Sequence, residues 1–462
     1  MREKAGQEAF QALWPDPEGR LRLARLSAAF LRRYSFRSPY PPILVWQPKT
    51  LRDVRRAWQR LSRAPRSSRG PLGLYVHVPF CPTKCVFCNC MSVTDMRPAS
   101  HAAYLDALET ELRLLRFPRG LAVDTACLGG GTPTALSAGD LRRLFRILDD
   151  SLDLSSCRER MAEVSPSSIS EEVLRELEAW GVRRATLGVQ TVDPRLLARF
   201  RRTQDEAMVR RAFTGLRRHG VRHVSVDLLA GLPGQTLVSF RKSLDFALAL
   251  EPDSVSVYPF ACIRTTPYRV EVGEVGGRDV ARREEMLALA SGVLARRYPR
   301  DPSPLERVGD SQQRVDRDYR NGSVLGLGYS SRSYAKGVLS YVKENHYGRY
   351  REALAGGEFP PVRGWDMGGG EAARAFVVDR IEMEGRLDVA LLRRLFGKGA
   401  GAAFAEPIAL ARRHGLLVGR GDELRVRHDP DNHEKNALIC GKLFYSKEVL
   451  ARVWELVVRG RA

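Results

Sequence analysis

Cys81, Cys85 and Cys88 stand in a C-x3-C-x2-C arrangement inside LYVHVPFCPTKCVFCNC (residues 74–90), with Cys90 two positions further on. Cys127, Cys157, Cys262 and Cys440 are scattered singly and read as structural residues. In a reducing compartment, clustered cysteines ligate metal more often than they pair as disulfides. A structural zinc site wants two separated pairs of ligands holding two chain segments together, and no second pair is present. Three thiolates from one short loop suit an iron–sulfur cluster with one iron left without a cysteine. Two further features carry chemistry on their own terms. Gly129, Gly130 and Gly131 follow an apolar run, where they either let backbone approach a ligand closely or make a tight strand-to-helix turn. Tyr75 and His77 share one face of the strand before the cysteines by two-residue alternation. A lone strand histidine is more often a satisfied core residue than a reactive one.

The elements that must position these residues alternate in type. Strand-like apolar runs occur at 74–78, 125–129, 160–164, 184–189, 223–229 and 254–260. Amphipathic stretches at 101–116, 138–150, 170–180, 205–219 and 236–250 separate them. In the first of these, Leu105, Leu108, Leu112 and Leu115 fall on one helix face. Repeated βα units with near-continuous apolar strands predict an α/β fold with a parallel sheet and outer helices. The count suits a partial (β/α)6 barrel, whose chemistry belongs at the C-terminal strand ends. The cysteine cluster follows the first strand, where this rule puts a site.

The chain of 462 residues is too long for one ordinary core. Residues 1–70 are expected to form a basic N-terminal extension with a helix at 51–63 and a linker at 65–71. The barrel is expected over 71–270 and a connecting region over 271–364. A C-terminal winged-helix-like α+β domain is expected over 365–462, from its helix-helix-strand character. Formal net charge is +21, and residues 1–70 carry 16 Lys or Arg against 5 Asp or Glu. That imbalance points to an anionic small molecule, phosphate or carrier protein as the thing met there. No aromatic-interleaved basic strand or recognition-helix pattern supports nucleic acid. No apolar run is long enough to span a bilayer and the start lacks a secretory core, so a cytoplasmic protein is expected.

The motif Y-x-H-x-P-F-C-x3-C-x-F-C-x-C closely resembles that of the oxygen-independent coproporphyrinogen III oxidases and their relatives in the radical S-adenosylmethionine superfamily. The resemblance continues in order through GGGTP (129–133), EVSP (163–166), LGVQT (187–191), FRRTQDE (200–206) and VDLLAGLPGQT (226–236). It covers roughly residues 72–340. It implies a 4Fe-4S cluster on Cys81, Cys85 and Cys88, with S-adenosylmethionine chelated to the open iron. A reductant such as flavodoxin or ferredoxin is implied as partner. Gly130, Gly131 and Thr132 then face the methionine amino group, and Glu163 resembles the acid that holds the ribose hydroxyls. Arg202 resembles the arginine that pairs with the methionine carboxylate as a planar fork. Gln190 and Asp227 match further ligand-facing positions, and Ala261 one beside the adenine. A buried unpaired Asp is costly, which favours a ligand role for Asp227. Tyr75 and His77 resemble residues lining the cofactor and substrate cavity. Cys90 matches an additional cysteine that is not expected to ligate iron.

The substrate side departs from the family pattern. FRSPYPP (36–42) replaces a G-P-R-Y-T-S-Y-P stretch, and in GLGYSSRS (326–333) Tyr329 and Arg332 stand where an apolar cofactor contact is expected. Relatives altered in this way include class C radical methyltransferases and cyclopropanases, which use two S-adenosylmethionine molecules. The first expectation is therefore one-carbon transfer to a small molecule, with Tyr329 and Arg332 in the wall of a second site. The alternatives are oxidative decarboxylation of coproporphyrinogen III and a non-catalytic haem or cluster carrier of the same fold.

Overall fold

A computed structural model describes residues 2–31, 40–262, 266–298, 322–429 and 433–460. The chain divides into two compact units. Residues 49–335 and 342–362 form the larger, which contains the βα repeat.

Six strands run parallel and in chain order: β1 (Leu72–Val78), β2 (Thr125–Gly130), β3 (Glu159–Val164), β4 (Arg184–Gln190), β5 (His223–Ala230) and β6 (Ser254–Pro259). Each agrees with its expected run to within two residues at either end. The strands are buried almost along their length because helices cover them: Pro98–Leu115, Ala138–Ser151, Glu171–Ala179, Glu206–Arg218 and Leu237–Ala249. Four of these helices start on a side-chain cap, from Ser137, Ser170, Asp205 and Thr236. Each cap is worth about 1 kcal/mol and fixes where the chain turns from strand end into helix. The caps fix where the loops after β2, β3, β4 and β5 end at the C-terminal edge of the sheet.

A further parallel strand was not expected. β7 (Ser323–Leu327) is also parallel, and it pairs with β1 on the side away from β2, from Leu72 opposite Ser323 to Val76 opposite Leu327. A short strand β8 (Arg332–Ala335) returns antiparallel against it. The sequence hides β7 because it has only five residues, includes Gly326, and lies far from the repeat that precedes it. Gly326 is there for space, since a Cβ would sit 2.2 Å from the Arg332 carbonyl oxygen. β1 is consequently an interior strand, and the cysteine loop leaves the middle of the sheet. The expected linker at 65–71 holds one short helical turn, Arg66–Arg69, whose Arg66 pairs with Asp124 at 2.5 Å.

Residues 1–48, 336–341 and 363–462 form the smaller unit. Helices Arg2–Leu13 and Pro17–Leu31 pack on helices Lys447–Arg459 and His433–Leu443, so the two ends of the chain share one core. A three-stranded antiparallel sheet of Arg386–Asp388, Glu423–Val426 and Leu417–Val418 lies among helices Glu371–Glu384, Val389–Phe396 and Ala405–Arg413. That is the winged-helix-like α+β arrangement read from the sequence. Residues 36–39 of the altered FRSPYPP stretch lie outside the described residues. No described helix is long and apolar enough to cross a membrane.

Candidate active site

The cysteine loop begins where β1 ends and is tied shut at its base. Cys81 N–H donates to the Val93 carbonyl (3.0 Å) and Val93 N–H to that of Pro79 (2.8 Å). Its middle is anchored across the sheet. Val86 N–H donates to Phe200 (3.2 Å), Tyr268 N–H donates to Val86 (2.8 Å), and the Val86 side chain packs among Phe200, Phe260 and Tyr268. A loop held at both points presents Cys81, Cys85 and Cys88 from a fixed backbone.

Each of the three sulfurs faces a donor of its own. Thr132 Oγ1 lies 3.4 Å from Cys81 Sγ, Arg202 Nη1 lies 3.8 Å from Cys85 Sγ, and Cys90 N–H lies 3.4 Å from Cys88 Sγ. Burial pushes the Cys81 and Cys85 thiols up, which Thr132 and Arg202 respectively oppose. The Cys88 thiol is pulled down to about 6, first by a hydrogen bond from the Cys90 side chain. All eight cysteines are free. No three described His, Cys, Asp or Glu side chains converge on a single ion. Three cysteine sulfurs on one short loop, each with a donor beside it, fit a 4Fe-4S cluster.

The ends of β2, β3, β4 and β5 supply the polar groups beside this loop. The three glycines at the end of β2 are set by contact: a Cβ on Gly129 would stand 2.8 Å from Glu163 Oε1, and one on Gly131 2.7 Å from the Pro79 and Phe80 carbonyl oxygens. Gly130 N–H donates to Glu163 Oε2 (3.2 Å). Burial, reinforced by Cys88, raises the Glu163 carboxyl to about 7. Asp227 is raised to about 8 by burial and then by Glu163, against the Ser256 hydroxyl beside it. Its Oδ1 is buried and has no hydrogen-bond partner. An orphaned buried acceptor is a cost that a ligand hydroxyl or ammonium group removes.

Arg202 is aimed by β4. The strand bulges between Gly188 and Gln190, and Gln190 adopts φ 68°, a strained conformation for a residue with a side chain. The bulge turns the Gly188 carbonyl out to accept from Arg202 Nη2. Gln204 Oε1 accepts from Arg202 Nε (3.0 Å) and Nη2 (2.6 Å), and Gln204 donates onward to the Val189 carbonyl (2.6 Å). The guanidinium also lies 6.0 Å from the Phe87 ring centroid.

Tyr75 and His77 lie on the other side of the glycines. Tyr75 donates to His77 Nδ1 (3.2 Å) and His77 Nε2–H to the Met91 carbonyl (2.7 Å), which fixes a neutral tautomer. Burial lowers the imidazole to about 4. Tyr329 is buried with its ring against His77 (5.8 Å), Tyr347 (5.5 Å) and Tyr350 (6.4 Å). Arg332 opens β8 and is half-buried, as is Ala261 just beyond β6.

The structure therefore gathers the cysteines, Thr132, Glu163, Asp227, Arg202, Tyr75 and His77 at one edge of the sheet, with Tyr329 behind His77. Gln204 and Phe87 are additions. Both lie inside recognisable motifs, FRRTQDE and C-x-F-C, which would have drawn attention to them. Glu111, Lys343 and Tyr104, described below, carry no such local signal.

The family profile described as the Radical SAM superfamily matches residues 75–247. The chain is 31% identical over 371 residues to the heme chaperone HemW of Mycobacterium tuberculosis, covering 77% of this chain and 90% of that protein. It is 33% identical over 243 residues to the oxygen-independent coproporphyrinogen III oxidase of Escherichia coli, covering 51% of this chain and 52% of that protein. To the enzyme of that name in Pseudomonas aeruginosa it is 28% identical over 417 residues, covering 83% and 87%. The solved structure of the Escherichia coli coproporphyrinogen III oxidase HemN aligns with a TM-score of 0.68 at 24% identity, covering 84% of this chain and 93% of that one. It has the same fold.

Proposed function

We propose that this chain, which belongs to the radical S-adenosylmethionine superfamily and within it to the family of the oxygen-independent coproporphyrinogen III oxidases and HemW, oxidatively decarboxylates a propionate-bearing tetrapyrrole of the coproporphyrinogen type. Its cofactors are a 4Fe-4S cluster and S-adenosylmethionine. When bound and reduced, they supply methionine and a 5′-deoxyadenosyl radical that removes a hydrogen atom from substrate. The substrate radical would then lose carbon dioxide and give one electron to an oxidised flavodoxin- or ferredoxin-type carrier, leaving a vinyl group.

In this reading the chain's own residues bind and orient. Cys81, Cys85 and Cys88 hold the cluster. Gly130, Gly131 and Thr132 meet the amino acid end of the cofactor, and Arg202, already aimed by Gln204 and Gly188, meets its carboxylate. Glu163 and Asp227 take its hydroxyl or ammonium groups, with Gln190 and Ala261 nearby. Tyr75 and His77 border the substrate. The reductant is a flavodoxin- or ferredoxin-like carrier. The observation that carries the reading is the orphaned Asp227 carboxylate oxygen, buried beside Glu163. A cluster or haem carrier has no need of so costly a pair, whereas a cofactor that donates hydrogen bonds there relieves it.

A second reading, a haem carrier, draws support from the likeness to HemW over 90% of that protein's length. One-carbon transfer, the first expectation from the sequence, has less support, since the relatives above bear other names. The test is to incubate reduced enzyme with coproporphyrinogen III and methyl-labelled S-adenosylmethionine. Expected are 5′-deoxyadenosine, methionine, carbon dioxide and an unlabelled vinyl product. Label in the product, or haem binding without 5′-deoxyadenosine, overturns the reading.

A further inference from the structure

Behind the Tyr75–His77 wall lies a charged cluster that the chemistry above does not use. Glu111 and Lys343 form an ion pair at 2.8 Å with side chains 0% and 1% exposed. Neither belongs to any motif. A fully buried pair is costly to desolvate, and apolar residues of similar size often do as well for stability, so its presence asks what else it does.

Its contacts answer. Lys343 Nζ donates to the Gly326 carbonyl, at the end of β7. Glu111 Oε2 accepts from Gly328 N–H (3.1 Å) and from the Tyr350 hydroxyl (2.7 Å). The pair thus grips the 326–328 turn from two sides, and the next residue is Tyr329, whose ring lies on His77. Gly328 has φ 87° and sits so close to β1 that a Cβ would be 2.8 Å from the His77 carbonyl oxygen. That same carbonyl accepts from Tyr104 (2.7 Å). Tyr104 and Glu111 are seven residues apart, on one face of helix Pro98–Leu115. One helix face therefore holds the ends of both β1 and β7.

We infer that Glu111 and Lys343 are a positioning pair that sets Gly328, Tyr329 and the His77 backbone, and so the substrate-facing wall, without touching the cluster loop. This rests on the proposed function only in taking that wall as substrate-facing. Removing one partner strands a buried charge, so Glu111→Gln and Lys343→Met are to be compared with the double variant, which leaves none. In the reconstituted holoenzyme, hydrogen–deuterium exchange in the double variant should rise at least tenfold in peptides covering 323–331 and 74–78. It should stay within twofold in the cysteine loop 81–93. Iron content should match wild type. With coproporphyrinogen III, vinyl product formed per 5′-deoxyadenosine should fall at least tenfold. Exchange that rises evenly throughout the larger unit, or a double variant with unchanged local exchange, overturns the inference. If wild type does not turn over coproporphyrinogen III, the proposed substrate falls, while the exchange measurement still decides the positioning role.

Discussion

At the scale of single residues, the feature with the sharpest consequence is the pair of raised carboxyls. Glu163 moves from its ordinary 4.5 to about 7 and Asp227 from 3.8 to about 8. Through that window the folded, ligand-free protein holds protons that an unfolded chain has already released. Stability from these two groups is therefore fullest at low pH and is lost as pH rises through their folded values. A ligand that donates hydrogen bonds needs the ionised carboxylates, so the sign for binding is opposite. S-adenosylmethionine should bind more tightly as pH rises from about 6 to about 9, by up to about tenfold per pH unit where one proton is displaced. Calorimetric titration in two buffers of different ionisation enthalpy should show net proton release. A dissociation constant flat across the range, with no buffer dependence, would remove these residues from the ligand site. The cysteines stood out by their spacing, Asp227 by the cost of burying an unpaired carboxylate, and Glu163 only through the family resemblance. Tyr329 was legible only as a departure from pattern; its burial against His77, Tyr347 and Tyr350 depends on segments distant in sequence.

At the scale of elements, the strands and helices of the repeat were readable because near-continuous apolar runs alternate with stretches of helical periodicity. β7 escaped because five residues with a glycine carry too little pattern, and its partner β1 comes long before it in the chain. The glycines at the end of β2 show how tightly element geometry and site geometry are joined. Gly131→Ala would press a methyl group against the Pro79 and Phe80 carbonyl oxygens, which are backbone and cannot swing away. The loss expected from such overpacking is about 1–3 kcal/mol. It should be accompanied by reduced iron content, since Gly131 and Thr132 N–H groups bond to Val78 and Phe80 beside Cys81. Thermal unfolding and iron analysis of the reconstituted variant check this; wild-type values for both would mean the loop can retreat.

At the scale of the whole molecule, composition told less than motif. The arginine excess at residues 1–70 divides between the two compact units, and in helix Leu51–Arg63 it becomes an exposed face of Arg52, Arg56, Arg60 and Arg63 over buried Val54, Ala57, Trp58 and Leu61. That both chain ends share one core could not be read locally, because no periodicity records which distant helices meet. What the molecule does rests on one claim: that the loop of Cys81, Cys85 and Cys88 carries a cluster with an iron open to S-adenosylmethionine. The most direct measurement is electron paramagnetic resonance of the anaerobically reconstituted, reduced protein, with iron and sulfide determined on the same sample. Expected are about four irons and four sulfides per chain, and a reduced-cluster signal that shifts when S-adenosylmethionine is added. That signal should be lost in C81A, C85A and C88A and kept in C90A. Stoichiometric zinc without sulfide, or a cluster signal indifferent to S-adenosylmethionine, would contradict it.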